Sequence, residues 1–276
     1  MTNPVTAVDI QNTLRSLGLR GRCFCVHSSL RSFGWVEGGA HSVVDAVLAE
    51  GCTLLVPSFT EFQVSPPPHL RPARNGWDYA QVSLEEDMHT VYSREMTEVA
   101  EEDMGAIPAA VCQMPQRVRG NHPLCSFAAV GPQAEELIMG QAPLDVNAPL
   151  RRLAEMGGFV ALMGVGLEAM TLLHLAEQSA GRTLFRRWAN GPAGQVVEVE
   201  TGGCSAGFDH LEGLLSPLMR EVRVGNSRWQ VFPALDTLAA ASEAIRRDPA
   251  ITHCGKTSCR CDDAVQGGPL LAEAMR

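Results

Sequence analysis

The 276-residue chain has no excess of positive charge, no long apolar run and no internal repeat. Lys and Arg total 22 against 31 Asp and Glu, a formal net charge of −9. A general nucleic-acid binder needs a basic surface to offset phosphates, so that class is excluded and a cationic partner suits the balance better. The longest apolar stretches, such as Phe159 to Val165, fall far short of the roughly 20 residues that span a bilayer. The opening Met1-Thr2-Asn3-Pro4-Val5 lacks the basic segment and following apolar stretch of a secretory signal. A cytoplasmic protein without a membrane partner is the expectation. Low complexity is confined to Ser65-Pro66-Pro67-Pro68. What is present is ordinary for a folded chain: 45% hydrophobic and 19% charged residues exclude disorder over most of its length. Nine cysteines, an odd number without an export signal, fit reduced thiols or a metal site better than a disulfide framework.

Hydrophobic periodicity predicts an amphipathic helix over Ala7–Leu17, a buried strand Arg22–His27, a helix Ala40–Ala49 and a strand Cys52–Val56 ending at Pro57. That order favours an α/β layer structure. Between Glu61 and Gly105 no period holds, and the acidic stretches Glu85-Glu86-Asp87 and Glu101-Glu102-Asp103 fall there; a long irregular segment inside a compact domain is more often a functional lid than filler. Helices are expected again over Ala106–Gln113, Pro132–Met139 and Pro149–Glu155, then a strand Phe159–Val165 and a helix Glu168–Ser179. A strand Gln195–Glu200, a helix Phe208–Val222, a strand Trp229–Phe232 and a helix Ala234–Arg247 follow. No compositional break marks a boundary, so a single domain over residues 1–276 is expected, with a cysteine-rich tail from position 250 onward.

Three clusters could carry chemistry. Thr171, His174 and Glu177 stand at i, i+3 and i+6 on one inclined ridge of the helix that follows the strand at Phe159. A histidine there could accept a proton at neutral pH, or it could be a core histidine bonded to either neighbour. The preceding Gly164-Val165-Gly166 gives G-x-G-x-x-A, but the next strand ends only at Glu200, too far on for the acidic residue of a nicotinamide site. Val26-His27-Ser28-Ser29-Leu30-Arg31-Ser32-Phe33-Gly34 leaves the first strand with hydroxyls, backbone amides and an arginine that suit a phosphate-bearing cofactor, or simply a polar turn. Cys254, Cys259 and Cys261 offer thiolates for structural zinc, with Cys204 or His210 closing the set; the alternative is an exposed tail of reactive thiols. No H-E-x-x-H helix is present to suggest a catalytic zinc.

Five ordered segments resemble the aminoglycoside 3-N-acetyltransferases: Val26-His27-Ser28-Ser29-Leu30-Arg31-Ser32, Leu55-Val56-Pro57-Ser58-Phe59, Met104-Gly105-Ala106-Ile107-Pro108, His122-Pro123-Leu124-Cys125-Ser126-Phe127-Ala128-Ala129-Val130-Gly131, and Leu162 to Gly166 continuing through T-x-x-H-x-x-E. The resemblance implies a mixed β-sheet flanked by helices, unlike the GNAT acetyltransferases, acting as monomer or dimer. It implies transfer of acetyl from acetyl-coenzyme A to the 3-amino group of a deoxystreptamine ring, with His174 as general base and Thr171 and Glu177 beside it. It places His27, Ser28, Ser29, Leu30, Arg31, Ser32 and Ser126 along the coenzyme, and Glu200 near the histidine or the substrate amine. Glu61, Glu168 and Glu200 are the carboxylates expected to meet a polycationic acceptor. Where relatives carry polar residues before the threonine, this chain has Leu167, Glu168 and Met170, so its acceptor side differs. Cys125 makes a covalent route one to exclude. An acetyltransferase for another small amine, or a non-enzymatic zinc-stabilised binding protein, are the other classes the residues allow.

Overall fold

A computed structural model of the chain describes residues 4–81, 90–100 and 104–265. Both acidic stretches, Glu85 to Asp87 and Glu101 to Asp103, lie outside the described residues.

The centre is a seven-stranded mixed sheet in the order β3-β4-β2-β1-β5-β9-β8. Its strands are β1 (Cys23–Ser28), β2 (Thr53–Pro57), β3 (Val118–Arg119), β4 (Phe127–Val130), β5 (Phe159–Met163), β8 (Arg220–Val224) and β9 (Ser227–Pro233). A separate hairpin pairs β6 (Phe185–Asn190) with β7 (Val196–Thr201). β1 runs parallel to both β2 and β5, while the outer strands are antiparallel.

The central strands are apolar without alternation because both faces of the sheet are covered. Phe24 and Val26 of β1 and Ala161 of β5 enter one core with α1 (Ala7–Ser16), α2 (Gly39–Ala49) and α3 (Ala106–Gln113). Their alternates Cys25, Val160 and Leu162 enter a second core with α4 (Ala134–Ile138), α5 (Ala148–Glu155), α6 (Leu172–Ser179), α7 (Glu212–Leu215) and α8 (Ala234–Arg247). Among the described residues no helix is long and apolar enough to cross a membrane.

Three expectations need correction. The strand at Phe159 stops at Met163, because Gly164 turns at φ +75° with its Cα packed so closely on Ser32 that a Cβ would lie 1.9 Å from Oγ. The helix expected from Glu168 breaks into a 3-10 turn Leu167–Ala169, an extended Met170 and then α6. The helix expected over Phe208–Val222 is α7 between two 3-10 turns, the second of which contains Pro217; the chain then extends into β8. The irregular segment after Glu61 lies along β6: Val64 N donates to Trp188 O at 2.9 Å, and Asn75 exchanges hydrogen bonds of 2.7 and 2.9 Å with the Arg186 backbone.

Candidate active site

The C-terminal ends of the parallel strands β1 and β5 open on the same side, where α/β sheets collect ligands. Two cavities meet there. One, of about 310 Å³, is lined by His27 and Ser28 from β1, Pro57 from β2, Thr171 and His174 around the start of α6, and Thr201 to Gly203 after β7. The other is an open groove of about 1010 Å³ along Ser28, Ser29, Leu30 and Arg31, with Trp35 and the Gly38-Gly39 entry to α2 opposite. Ser28 and Val165 line both. The Ser28 hydroxyl oxygen is buried at that junction with no hydrogen-bond partner, a state that buried polar atoms rarely keep without a ligand or water.

His174 is fixed by one face and one nitrogen. Its Nδ1 lies 2.9 Å from Oε2 of Glu177, one helical turn on. A carboxylate only accepts, so Nδ1 carries a proton, and in the neutral imidazole Nε2 carries the lone pair. Among the described residues Nε2 has no protein partner. Phe208 packs edge-on against the ring at 4.9 Å, and the backbone of Gly202 lies across it, where a Cβ would come within 2.4 Å of Cδ2. Glu177 is buried, and its other oxygen accepts from Arg182 at 2.6 Å and from the Thr252 hydroxyl at 3.0 Å. The Arg182 guanidinium offsets a carboxylate charge that burial would otherwise make costly.

Thr171 stands against the end of β1, its Oγ1 3.3 Å from Nε2 of His27. Burial drives the His27 imidazole down to about 4, so it is neutral at physiological pH and anchors the threonine without carrying charge. Cys125 also lines the cavity, but burial pushes its thiol up to about 12 and keeps it protonated.

The structure distributes the other anticipated residues unevenly. Ser29, Leu30 and Arg31 line the groove, whereas Ser32 turns inward, bonding Ser29 O at 2.6 Å and Ser227 Oγ at 2.8 Å. His27 lines the cavity beneath Thr171 rather than the groove. Ser126 is fully buried and lines neither cavity, tied to Ser58 and to Arg119 Nε at 3.1 Å. Glu168 is exposed on the cavity rim, but Glu61 is exposed and lines neither cavity. Glu200 does not reach the cavity either: as the cross-strand partner of Arg186 it pairs with that guanidinium at 2.9 Å. The carboxylate against His174 is that of Glu177, not Glu200. Of residues 61–105, the described ones that reach either cavity are Met104 and Gly105. Sequence reasoning missed Arg182, Thr252 and Gly202, which are brought to His174 by folding and carry no local motif.

The sulfur atoms of Cys204, Cys254, Cys259 and Cys261 all lie within 4.8 Å of one another. His210, the other candidate for the fourth position, places Nδ1 3.0 Å from the Ile251 carbonyl oxygen.

The family model described as aminoglycoside 3-N-acetyltransferase matches residues 25–246. Aminoglycoside N(3)-acetyltransferase IX of Micromonospora chalcea is 36% identical over 186 residues, 64% of this chain and 63% of that protein. The chain thus spans less than two thirds of that relative's length. Aminoglycoside N(3)-acetyltransferase IV of Salmonella sp is 30% identical over 252 residues, 86% of each chain. A crystal structure of aminoglycoside acetyltransferase AAC(3)-IVa in complex with gentamicin matches 97% of this chain and 99% of its own at a TM-score of 0.78 and 28% identity. The mixed sheet is therefore that of the antibiotic N-acetyltransferases and not of the GNAT enzymes. On the extent of these matches, the chain belongs to the aminoglycoside 3-N-acetyltransferase family.

Proposed function

We propose that the protein is an acetyl-coenzyme A-dependent N-acetyltransferase that acylates the 3-amino group of an aminoglycoside and so confers resistance. The observation that carries this reading is the His174 imidazole, held at Nδ1 by Glu177 and lining a cavity that runs into the Ser28–Arg31 groove. In this reading Ser29, Leu30 and the exposed Arg31 hold the coenzyme, the guanidinium facing its phosphates. The unpartnered Ser28 hydroxyl sits where groove meets cavity and meets the thioester end.

The acceptor amine enters the cavity as the free base, and Nε2 of His174 takes the proton that the nitrogen sheds as it bonds. Its nitrogen lone pair forms the bond to the thioester carbon. As negative charge builds on the carbonyl oxygen, the Thr171 hydroxyl donates to it. The C–S bond then breaks, and the imidazolium returns its proton to the departing coenzyme A sulfur. Holding amine and thioester together supplies part of the acceleration. Transfer is direct: a thiol pushed up to about 12, as at Cys125, is a poor nucleophile at neutral pH. The four clustered cysteines belong to this reading as a structural zinc site outside the chemistry. The reading takes residues 1–276 as one domain with a cysteine-rich tail, acting in the cytoplasm as a monomer or homodimer.

A second reading, acetylation of another small amine, is favoured by one observation. Among the described residues Glu168 is the only carboxylate lining the cavity, which is sparse for a polycation. The deciding experiment incubates the protein with acetyl-coenzyme A and a panel of aminoglycosides and simpler amines, and follows product mass. A gain of one acetyl group on a deoxystreptamine drug is expected. Acetylation confined to a simpler amine selects the second reading, and no product with any amine overturns both.

A further inference from the structure

Four cysteines that acetyl transfer leaves unused converge from two distant parts of the chain. Cys204 follows β7; Cys254, Cys259 and Cys261 lie beyond α8. The Cys254 and Cys261 sulfurs are 3.4 Å apart, and all four fall within 4.8 Å of one another. Four thiolates placed tetrahedrally about 2.3 Å from a zinc ion are separated by about 3.8 Å, so the cluster has the size of a tetrathiolate site. Cys261 is buried and the other three are half-buried, and all four are free thiols. His210 is committed to the Ile251 carbonyl, Asp262 to His253 at 2.8 Å, and Asp263 to Arg260 and to the Gly76 amide. Among the described residues no neighbouring side chain therefore competes with the sulfurs. A closed set of four thiolates is the mark of a structural rather than a catalytic zinc.

The cluster also has a place in the site. Two residues before Cys204, Gly202 lies across the His174 ring. Two residues before Cys254, Thr252 donates to the carboxylate of Glu177 at 3.0 Å. The two segments touch just beyond Cys204, since a Cβ at Gly207 would lie 2.3 Å from Thr252 O. Neither is held by a sheet or a long helix. Residues 202–207 form no regular element, and from Asp248 to Asp263 the only one is the start of the short helix Asp262–Val265.

We propose that a zinc ion bound by Cys204, Cys254, Cys259 and Cys261 clips the tail to the loop after β7 and so positions Gly202 and Thr252 around the His174–Glu177 pair. The four cysteines are positioning residues. The kinetic part of this inference rests on the acetyltransferase reading; the metal site does not.

The test begins with metal content by plasma mass spectrometry on the full chain, expressed in zinc-sufficient medium and purified without chelator. About one zinc per chain is expected. Replacement by cobalt(II) should give the thiolate charge-transfer and visible bands of a tetrahedral four-sulfur site, and Cys254→Ser should lose the metal. Removing zinc with a thiol-reactive mercurial followed by dithiothreitol and chelator should lower kcat on the order of tenfold, since a displaced base is costly. The KM for acetyl-coenzyme A, held in the groove beyond Ser28, should hold within about twofold, and added zinc should restore kcat. A protein that carries no zinc and takes up no cobalt overturns the site, as does Cys254→Ser that keeps stoichiometric zinc. Zinc-free protein that stays folded with an unchanged kcat overturns the positioning role. Metal content is read without turnover, so an inactive protein carrying one zinc supports the site while sinking the transferase reading.

Discussion

At the scale of single residues, the proposed chemistry depends on what each nitrogen of His174 faces. The T-x-x-H-x-x-E spacing made the pairing with Glu177 legible in the sequence, because i and i+3 are neighbours on any helix. The Arg182 and Thr252 contacts to the same carboxylate were not legible, since Thr252 lies beyond α8 and reaches Glu177 only through tertiary packing. Ser126, which the family resemblance sets along the coenzyme, is buried, with its hydroxyl bonded to the guanidinium of Arg119. Two substitutions test this layer. Glu177→Gln leaves the Arg182 guanidinium buried without its counter-charge, so unfolding free energy measured in urea should fall by about 3 kcal/mol or more, with kcat falling as well because the Nδ1 acceptor is degraded. Unchanged stability would show that the ion pair is not what holds the carboxylate. Thr171→Val removes the hydroxyl beside His27 while keeping its shape. A kcat loss of about 10²-fold with Thr171→Ser near wild type is expected in steady-state kinetics, in line with loss of one oxyanion donor.

Elements explain why some strands were readable and others were not. β1, β2 and β5 are buried on both faces and read as short apolar runs. β8 is an edge strand with exposed charged residues, and it continues a stretch whose apolar spacing is helical until Pro217, so periodicity extended the helix through it. β6 carries two successive arginines and, among the described residues, pairs only with β7 and the irregular segment before it, so it has no apolar signature. The turn after β7 matters most to the site. Gly202→Ala would drive a methyl into the His174 ring, 2.4 Å from Cδ2, displacing it from Glu177. A kcat loss on the order of tenfold or more is expected for a misplaced base. A thermal midpoint near that of the wild type should accompany it, because the loop belongs to no strand or helix. Full activity would mean that the loop does not hold the ring.

For the molecule as a whole, two buried imidazoles make stability depend on pH. His27 and His122 are both driven down to about 4, chiefly by burial, from an ordinary value of 6.5. His122 accepts from the Cys125 amide at 2.8 Å and faces the Glu200 carbonyl at 2.8 Å, tying the turn after β3 to β7. Below pH 6.5 the unfolded chain takes up protons that the folded one does not, so this contribution is complete above 6.5 and is lost as pH falls toward 4. Each histidine contributes a slope of up to about 1.4 kcal/mol per pH unit in that window. Urea midpoints should therefore be lower at pH 5 than at pH 7.5, and equal midpoints would contradict the buried neutral state. The layered α/β class was legible because the central strands alternate with helices, whereas the mixed sheet order depends on pairings of β4, β8 and β9 that no local pattern encodes. The central claim, that His174 takes the amine proton and does not hold the coenzyme, is tested most directly by comparing His174→Ala with the wild type in acetyl-transfer kinetics and in calorimetric binding of coenzyme A. The predicted result is that kcat falls by about 10²- to 10⁴-fold while coenzyme affinity stays within about threefold. A variant that turns over within tenfold of the wild type, or that loses coenzyme binding in step with activity, would contradict it.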